Sequence, residues 1–136
     1  MILLDTHPLI WFTQGHKDLG PQARQIVQRS LDKDDARVSP ITFWETSMLV
    51  KKGRLALGRS VQEWAQAVLG KGIILAEISP EIAIDAGDLP RGIHGDPADR
   101  LIISTARTLG CPILTADRKI LSYASAGHVA ATDARR

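Results

Sequence analysis

Cysteine is almost missing: Cys111 stands alone in 136 residues. A single thiol excludes an internal disulfide, a C-x-x-C pair and a thiolate zinc site, and it fits a reducing cytoplasm. No apolar run approaches the length of a membrane span. The start, Met-Ile-Leu-Leu-Asp, enters a strand pattern with neither the basic nor the apolar region of a signal peptide. Surplus charge is small too. A formal net charge of +2 permits a nucleic-acid partner but lacks the field of a sequence-indifferent binder. G-x-S-x-G, Walker and G-x-G-x-x-G motifs do not occur, so triad hydrolase and nucleotide-binding readings have no foothold. Repeats, low-complexity tracts and linkers are also absent. With 44% hydrophobic and 24% charged residues the chain is not a disordered one. It reads as one domain over residues 1–136, large enough to bury about 65–70% of its unfolded surface.

What is present is alternation. Short apolar runs suited to buried strands occur at Ile2–Leu4, Ala36–Val38, Ile73–Ile78, Pro112–Thr115 and, weakly, His128–Ala131. Helical patterns fall between them at about 8–13, 21–32, 40–52, 61–69, 80–88, 97–109 and 117–125. Strands separated by helices predict an α/β fold with a mainly parallel sheet, its short polar last strand at an edge. Ser39-Pro40, Ser79-Pro80 and Asp96-Pro97 place a capping side chain before a proline at the first helical position. Ser60 with Glu63 forms a capping box, and Gly53, Gly70 and Gly110 are stop signals.

Four acids stand out against this frame. Ligands of open parallel sheets bind outside the carboxyl ends of the strands. Asp5 follows the first strand and Asp117 the fourth, so both fall on that edge. Ile41, Trp44, Met48 and Leu49 predict the buried stripe of the third helix, and Glu45 falls within it. Asp99 extends the apolar face of Ile102, Ile103 and Ala106. Each acid has a plainer alternative. Glu45 can lie at the stripe margin, paired with Lys52 or Arg54. Asp99 can merely complement a helix dipole, and Asp5 and Asp117 can merely cap helices. Asp96 is an N-cap first. Together, though, carboxylates converging on one buried spot repel and raise each other's pKa, and a divalent cation with oxygen ligands is the least costly remedy. His94 has crude ligand spacing to Asp96 and Asp99, but no second His or Cys completes a zinc set. Arg100 and Arg118 directly follow two of the acids; they are either solvated or ready to hold a phosphate backbone.

The segments Leu3-Leu4-Asp5-Thr6-His7, Ser39-Pro40-Ile41-Thr42-Phe43-Trp44-Glu45, His94-Gly95-Asp96-Pro97-Ala98-Asp99-Arg100-Leu101-Ile102 and Leu114-Thr115-Ala116-Asp117-Arg118 resemble, in order and spacing, those of PIN domains. The resemblance is to the ribonuclease toxins of VapBC-type toxin–antitoxin modules in particular, and it covers essentially the whole chain. It implies a three-layer PIN-like fold with a five-stranded sheet flanked by helices, and Mg²⁺ or Mn²⁺ at the carboxyl edge. Asp5, Glu45, Asp99 and Asp117 would be the metal-binding, catalytic acids, with Asp96, Thr6 and Thr115 in support. It further implies a homodimer silenced by a cognate VapB-like antitoxin. Ala98 departs from the pattern, since many relatives carry an aromatic residue there.

The expected activity is therefore metal-dependent hydrolysis of RNA phosphodiester bonds by a cytoplasmic endoribonuclease. One rival is a PIN nuclease of RNA processing unrelated to toxicity. Another is a non-catalytic module in which Trp11, Trp44 and Trp64 form a docking surface, against the plainer reading that they pack in the core. An aspartyl-phosphate phosphatase needs a second acid two residues past the first, where His7 stands, and a receiver domain needs acids clustered at the first strand and a lysine ending the last.

Overall fold

The computed structural model describes residues 1–136. Its elements are β1 (Ile2–Leu4), α1 (Thr6–Gln14), α2 (Pro21–Asp32), β2 (Ala36–Val38), α3 (Pro40–Lys51), α4 (Val61–Gly70), β3 (Ile74–Leu75), α5 (Pro80–Gly87), α6 (Pro97–Leu109), β4 (Ile113–Thr115), α7 (Arg118–Ser125) and β5 (Ala131–Asp133). The five strands form one sheet in the order β3-β2-β1-β4-β5, and every pairing is parallel. The chain leaves β1 toward one edge and returns to β4 on its other side. Neighbouring connections diverge there and leave a crevice at the carboxyl ends of β1 and β4. Asp5 and Asp117 follow those two strands.

Local chemistry explains most boundaries. Ser39, Ser79 and Asp96 accept hydrogen bonds from the free N–H groups of α3, α5 and α6, each helix starting with proline. Ser60 accepts from the Glu63 N–H at 3.1 Å and its hydroxyl donates to the Glu63 carboxylate at 3.0 Å. Gly110 ends α6 in the left-handed region, at φ +66. Gly70, expected as a stop, instead lies within α4, and the left-handed residue is Gly72, at φ +99. The first helix begins at Thr6, two residues before the expected start, because Asp5 caps it.

Two strands differ from expectation. The apolar run at 73–78 yields only Ile74–Leu75, which pairs on one side alone as the sheet edge. The last strand lies at Ala131–Asp133, not 128–131, because its register is set by β4: Ile113 pairs with Ala131 and Thr115 with Asp133. That shift carries the residues after it toward the crevice. The buried stripe of α3 also differs. Thr42 and Thr46 are fully buried, whereas Trp44 is 53% exposed. Small hydroxylated side chains let α3 approach α1 closely, with the Thr42 and Thr6 hydroxyls 3.2 Å apart.

Alternation along β1 sends side chains to two apolar layers. Ile2 and Leu4 join Leu9, Val27, Val38, Trp64 and Leu114 on one face; Leu3 joins Ile102, Ile103, Ile113, Ile120 and Tyr123 on the other. Trp64 is thus core, its indole N–H donating to Thr13 Oγ1 at 3.1 Å. No helix is long and apolar enough to cross a membrane.

Leu4 is fully buried at the centre of the sheet and Ile84 is 72% exposed. In urea unfolding, Leu4→Ala is expected to cost about 2–5 kcal/mol through lost burial and an unfilled cavity, and Ile84→Ala within about 0.5 kcal/mol of nothing.

Candidate active site

The crevice opens as a pocket of about 350 Å³ lined by Asp5, Thr6, His7, Trp11, Glu45, Asp96, Asp99, Ala116, Asp117 and Arg135. All four acids singled out in the sequence lie in it, together with Asp96 and Thr6. Thr115 lies beneath it, fully buried. A larger groove of about 630 Å³ between α2, α7 and β5 has Asp133 as its lone acid.

The capping and site readings of these acids turn out to coexist. Asp5 caps α1, taking the Thr6 N–H on Oδ1 at 2.8 Å, and its Oδ2 takes the Thr115 hydroxyl at 2.7 Å. Thr115 Oγ1 in turn accepts the Asp117 N–H at 3.0 Å, and Asp117 caps α7 through the Lys119 and Ile120 N–H groups. Asp96 caps α6 with bonds to the Ala98 and Asp99 N–H groups. Glu45 forms no ion pair with Lys52 or Arg54; its Oε1 accepts the Thr6 hydroxyl. One threonine thus steadies each of Asp5 and Glu45, and α1, α6 and α7 all begin at the pocket, with their partial positive ends beside the acids.

These donors do not neutralise the cluster. Burial raises the Asp5 carboxyl above its ordinary value, more than the Thr115 and Thr6 hydrogen bonds lower it. Glu45 is raised chiefly by desolvation, and further by Asp5, Asp96 and Asp117. Asp99, with 13% of its side chain exposed, is pushed up to about 8, first by desolvation and then by Asp5, Asp96, Asp117 and Glu45. Such a group holds a proton at neutral pH, since it is desolvated among like charges and no lysine or arginine pairs with it.

His94 belongs to the same constellation. Ligand atoms of His94, Asp99 and Asp117 lie within 4.8 Å of one another. Its Nδ1, however, accepts the Asp96 N–H at 3.1 Å, so a neutral ring carries its proton on Nε2. Nε2 sits 3.0 Å from Asp99 Oδ2, yet is buried without an aligned hydrogen-bond partner. In this tautomer His94 is a donor beside Asp99 and not a cation ligand. The remaining donor set is all carboxylate, hard oxygen suited to Mg²⁺ or Mn²⁺, and charge that only a cation would balance.

The two arginines expected to meet RNA behave differently. Arg100 is engaged internally: its guanidinium donates to the carbonyls of Ala86 at 2.8 Å and of His94 and Gly87 at 3.4 Å each, tying the open end of α5 to α6. It presents no free fork to a phosphate. Arg118 is exposed and lies outside the pocket lining. The cation that does line the pocket is Arg135, which sequence reasoning missed. Its guanidinium donates to the Ala116 carbonyl and lies 6.0 Å from the centre of the Trp11 ring. Nothing near residue 135 in sequence signals this, because the β5 register alone brings it there.

The raised carboxyls set the pH dependence of stability. Between the ordinary aspartate value of 3.8 and about 8, folded Asp99 holds a proton that the unfolded chain has released. Its contribution is therefore complete below the lower value and is lost as pH rises to the upper one. In EDTA, Tm is expected to fall from acidic pH toward about pH 8; Asp99→Asn should flatten that fall, as read by thermal melts across pH.

Known proteins resemble this chain over nearly its whole length. Residues 2–126 match the PIN domain family. The chain is 33% identical over 122 residues to Ribonuclease VapC22 of Mycobacterium tuberculosis, an alignment covering 90% of this chain and 91% of that protein. Among solved structures it is similar to FitAB bound to an IR36 DNA fragment, with a TM-score of 0.65, 25% identity, and coverage of 100% of this chain and 96% of that one. VapBC2 from Rickettsia felis, bound to a DNA fragment from its promoter, gives a TM-score of 0.65 at 18% identity, covering 97% and 98%, a likeness of fold alone. Four acids at the carboxyl edge of a parallel sheet, on a chain matched over nearly its full length, lead to one conclusion: it belongs to the PIN domain family.

Proposed function

We propose that the protein is a Mg²⁺-dependent endoribonuclease, with Mn²⁺ able to replace Mg²⁺, acting in the cytoplasm as the toxin of a VapBC-type toxin–antitoxin module. The observation that carries the reading is the gathering of Asp5, Glu45, Asp99 and Asp117, from four separate chain segments, in one pocket. Similarity to Ribonuclease VapC22 supports RNA as the substrate. The resemblance to VapBC toxins supports a VapB-like antitoxin and a homodimer as its partners.

Asp5, Glu45, Asp99 and Asp117 would hold the cation; when bound, it supplies an acidified water for attack on phosphorus and charge for the departing sugar oxygen. The chain's own residues prepare that site. Thr115 and the Thr6 N–H fix both oxygens of Asp5, and the Thr6 hydroxyl fixes Glu45. Anchored carboxylates do not have to be reordered when a ligand arrives. Bare, the pocket is an acid cluster that repels an RNA phosphate, so cation loading and RNA binding are coupled by charge alone. Arg135 on the rim is placed to meet a phosphate beside the cluster.

With purified protein and RNA, cleavage is expected in Mg²⁺ and none in EDTA, leaving 5′-phosphate and 3′-hydroxyl ends. Asp5→Asn and Asp99→Asn should each lower kcat/KM by at least about 100-fold while far-UV circular dichroism is unchanged. Near-normal cleavage by either variant, or 2′,3′-cyclic phosphate ends, would refute the assignment.

Thr115→Val keeps the shape of the side chain but removes the hydroxyl that Asp5 accepts from. A loss of about 10- to 100-fold in Mn²⁺ affinity or activity is expected, measured by titration and initial rates.

A further inference from the structure

Beside the acid pocket, a smaller groove of about 170 Å³ runs between α3 and the start of α6. Trp44, Met48, Leu49 and Pro97 make its apolar walls. At one end it shares Glu45 and Asp96 with the acid pocket; Lys52 and Arg54 line it as well. Lys52, the C-cap of α3, stands seven positions past Glu45, about 10 Å along the axis. Gly53, in the left-handed region at φ +70, turns the chain after α3 so that Arg54 also reaches the groove.

Three features need an explanation. Trp44 leaves 53% of its surface in water although apolar partners lie around it. Lys52 and Arg54 form no ion pair, even with Glu45 and Asp96 in the same groove. The apolar walls connect directly to the site proposed to hold a cation. A ligand that suits all three carries anions at both ends of a flat apolar ring.

We propose that this groove is a nucleobase subsite for the RNA strand being cleaved, in which one unpaired base stacks on Trp44 while Lys52 and Arg54 hold the phosphate on the side away from the acids. The inference rests on the nuclease reading above and adds how the strand is held. A phosphodiester chain repeats an anion at every residue with a base between, which matches the order of cation-loaded acids, indole and free cations. An enclosed cavity of about 150 Å³ accepts a six-membered ring, so this open groove of about 170 Å³ has room for a base. Every base offers a face for stacking, so Trp44 would add affinity without reading sequence. A stacked base must be unpaired, so duplex RNA would be held less well.

The test uses a single-stranded RNA oligonucleotide and the same strand annealed to its complement. Trp44→Ala is expected to raise KM for the single strand by about 10-fold, within the range for removing a base-stacking aromatic, with kcat changed by less than about 3-fold. Trp44→Phe should recover most of the loss, and neither change should alter the already weaker use of the duplex. Lys52→Ala with Arg54→Ala should reduce the slope of log affinity against log salt by about 0.7, for the one phosphate they hold on a single strand. Affinity is read separately from cleavage by binding of the labelled strand to Asp5→Asn protein with and without Trp44→Ala. Trp44-dependent binding with no cleavage by the wild type would uphold the subsite and remove the nuclease reading. Cleavage with KM unmoved by Trp44→Ala would overturn the subsite and leave the groove to a polypeptide partner. Failure of the strand to bind at all would overturn both.

Discussion

Desolvation of carboxylates, sharpened by their mutual repulsion, governs the functional edge of this molecule. The crevice beside β1 and β4 gathers five acids, and Asp99, desolvated first and repelled by the other four second, is pushed up to about 8. A fold bears such a cost only where the surrounding structure over-determines it. Here the support consists of three helix N-termini, two threonine hydroxyls and the backbone N–H groups that the acids cap. These donors orient the carboxylates but leave their summed charge unbalanced. The imbalance is what makes the pocket receptive to a cation, and through the cation to an anionic substrate.

The same constraint explains why the site sits on rigid elements. Asp5, Asp96 and Asp117 each end a loop and start a helix, and each is fixed by the N–H groups that it caps. A helix start is therefore both the structural reason for the acid and the means of aiming it. Glu45 lies instead within α3, nearly two turns past its cap, and depends on Thr6 from α1 to hold it. Arg100 takes no part in that chemistry; by closing the carbonyls of Ala86 and Gly87 it fixes the end of α5 and the segment that carries His94.

Positive charge and aromatic surface are arranged around the acids unevenly. Arg135 and Trp11 lie on the pocket rim, while Trp44, Lys52 and Arg54 line the adjoining groove. With a net charge of only +2, any attraction for RNA has to come from such local placement and not from the whole surface. Of the three tryptophans, Trp64 is core, Trp11 is half-buried beside Arg135, and Trp44 is exposed. They do not form one docking surface.

The amino-acid sequence by itself determined the α/β class, most helix starts, and the acids that stand at strand ends and helix caps. Those signals act within a turn or two: a serine or aspartate before proline, or an acid three residues before an isoleucine pair. Asp5, Glu45, Asp99 and Asp117 were legible for that reason, although the face assigned to α3 was not. That helix is apolar nearly all round, and only packing against α1 decided that Thr42 and Thr46 go inward and Trp44 outward. The tertiary structure alone decided the place of β5, hence that of Arg135, and the turn of His94 toward Asp99. The first two depend on β4–β5 pairing across the chain, where register and not local preference sets the outcome, and the third on the loop that leads into α6.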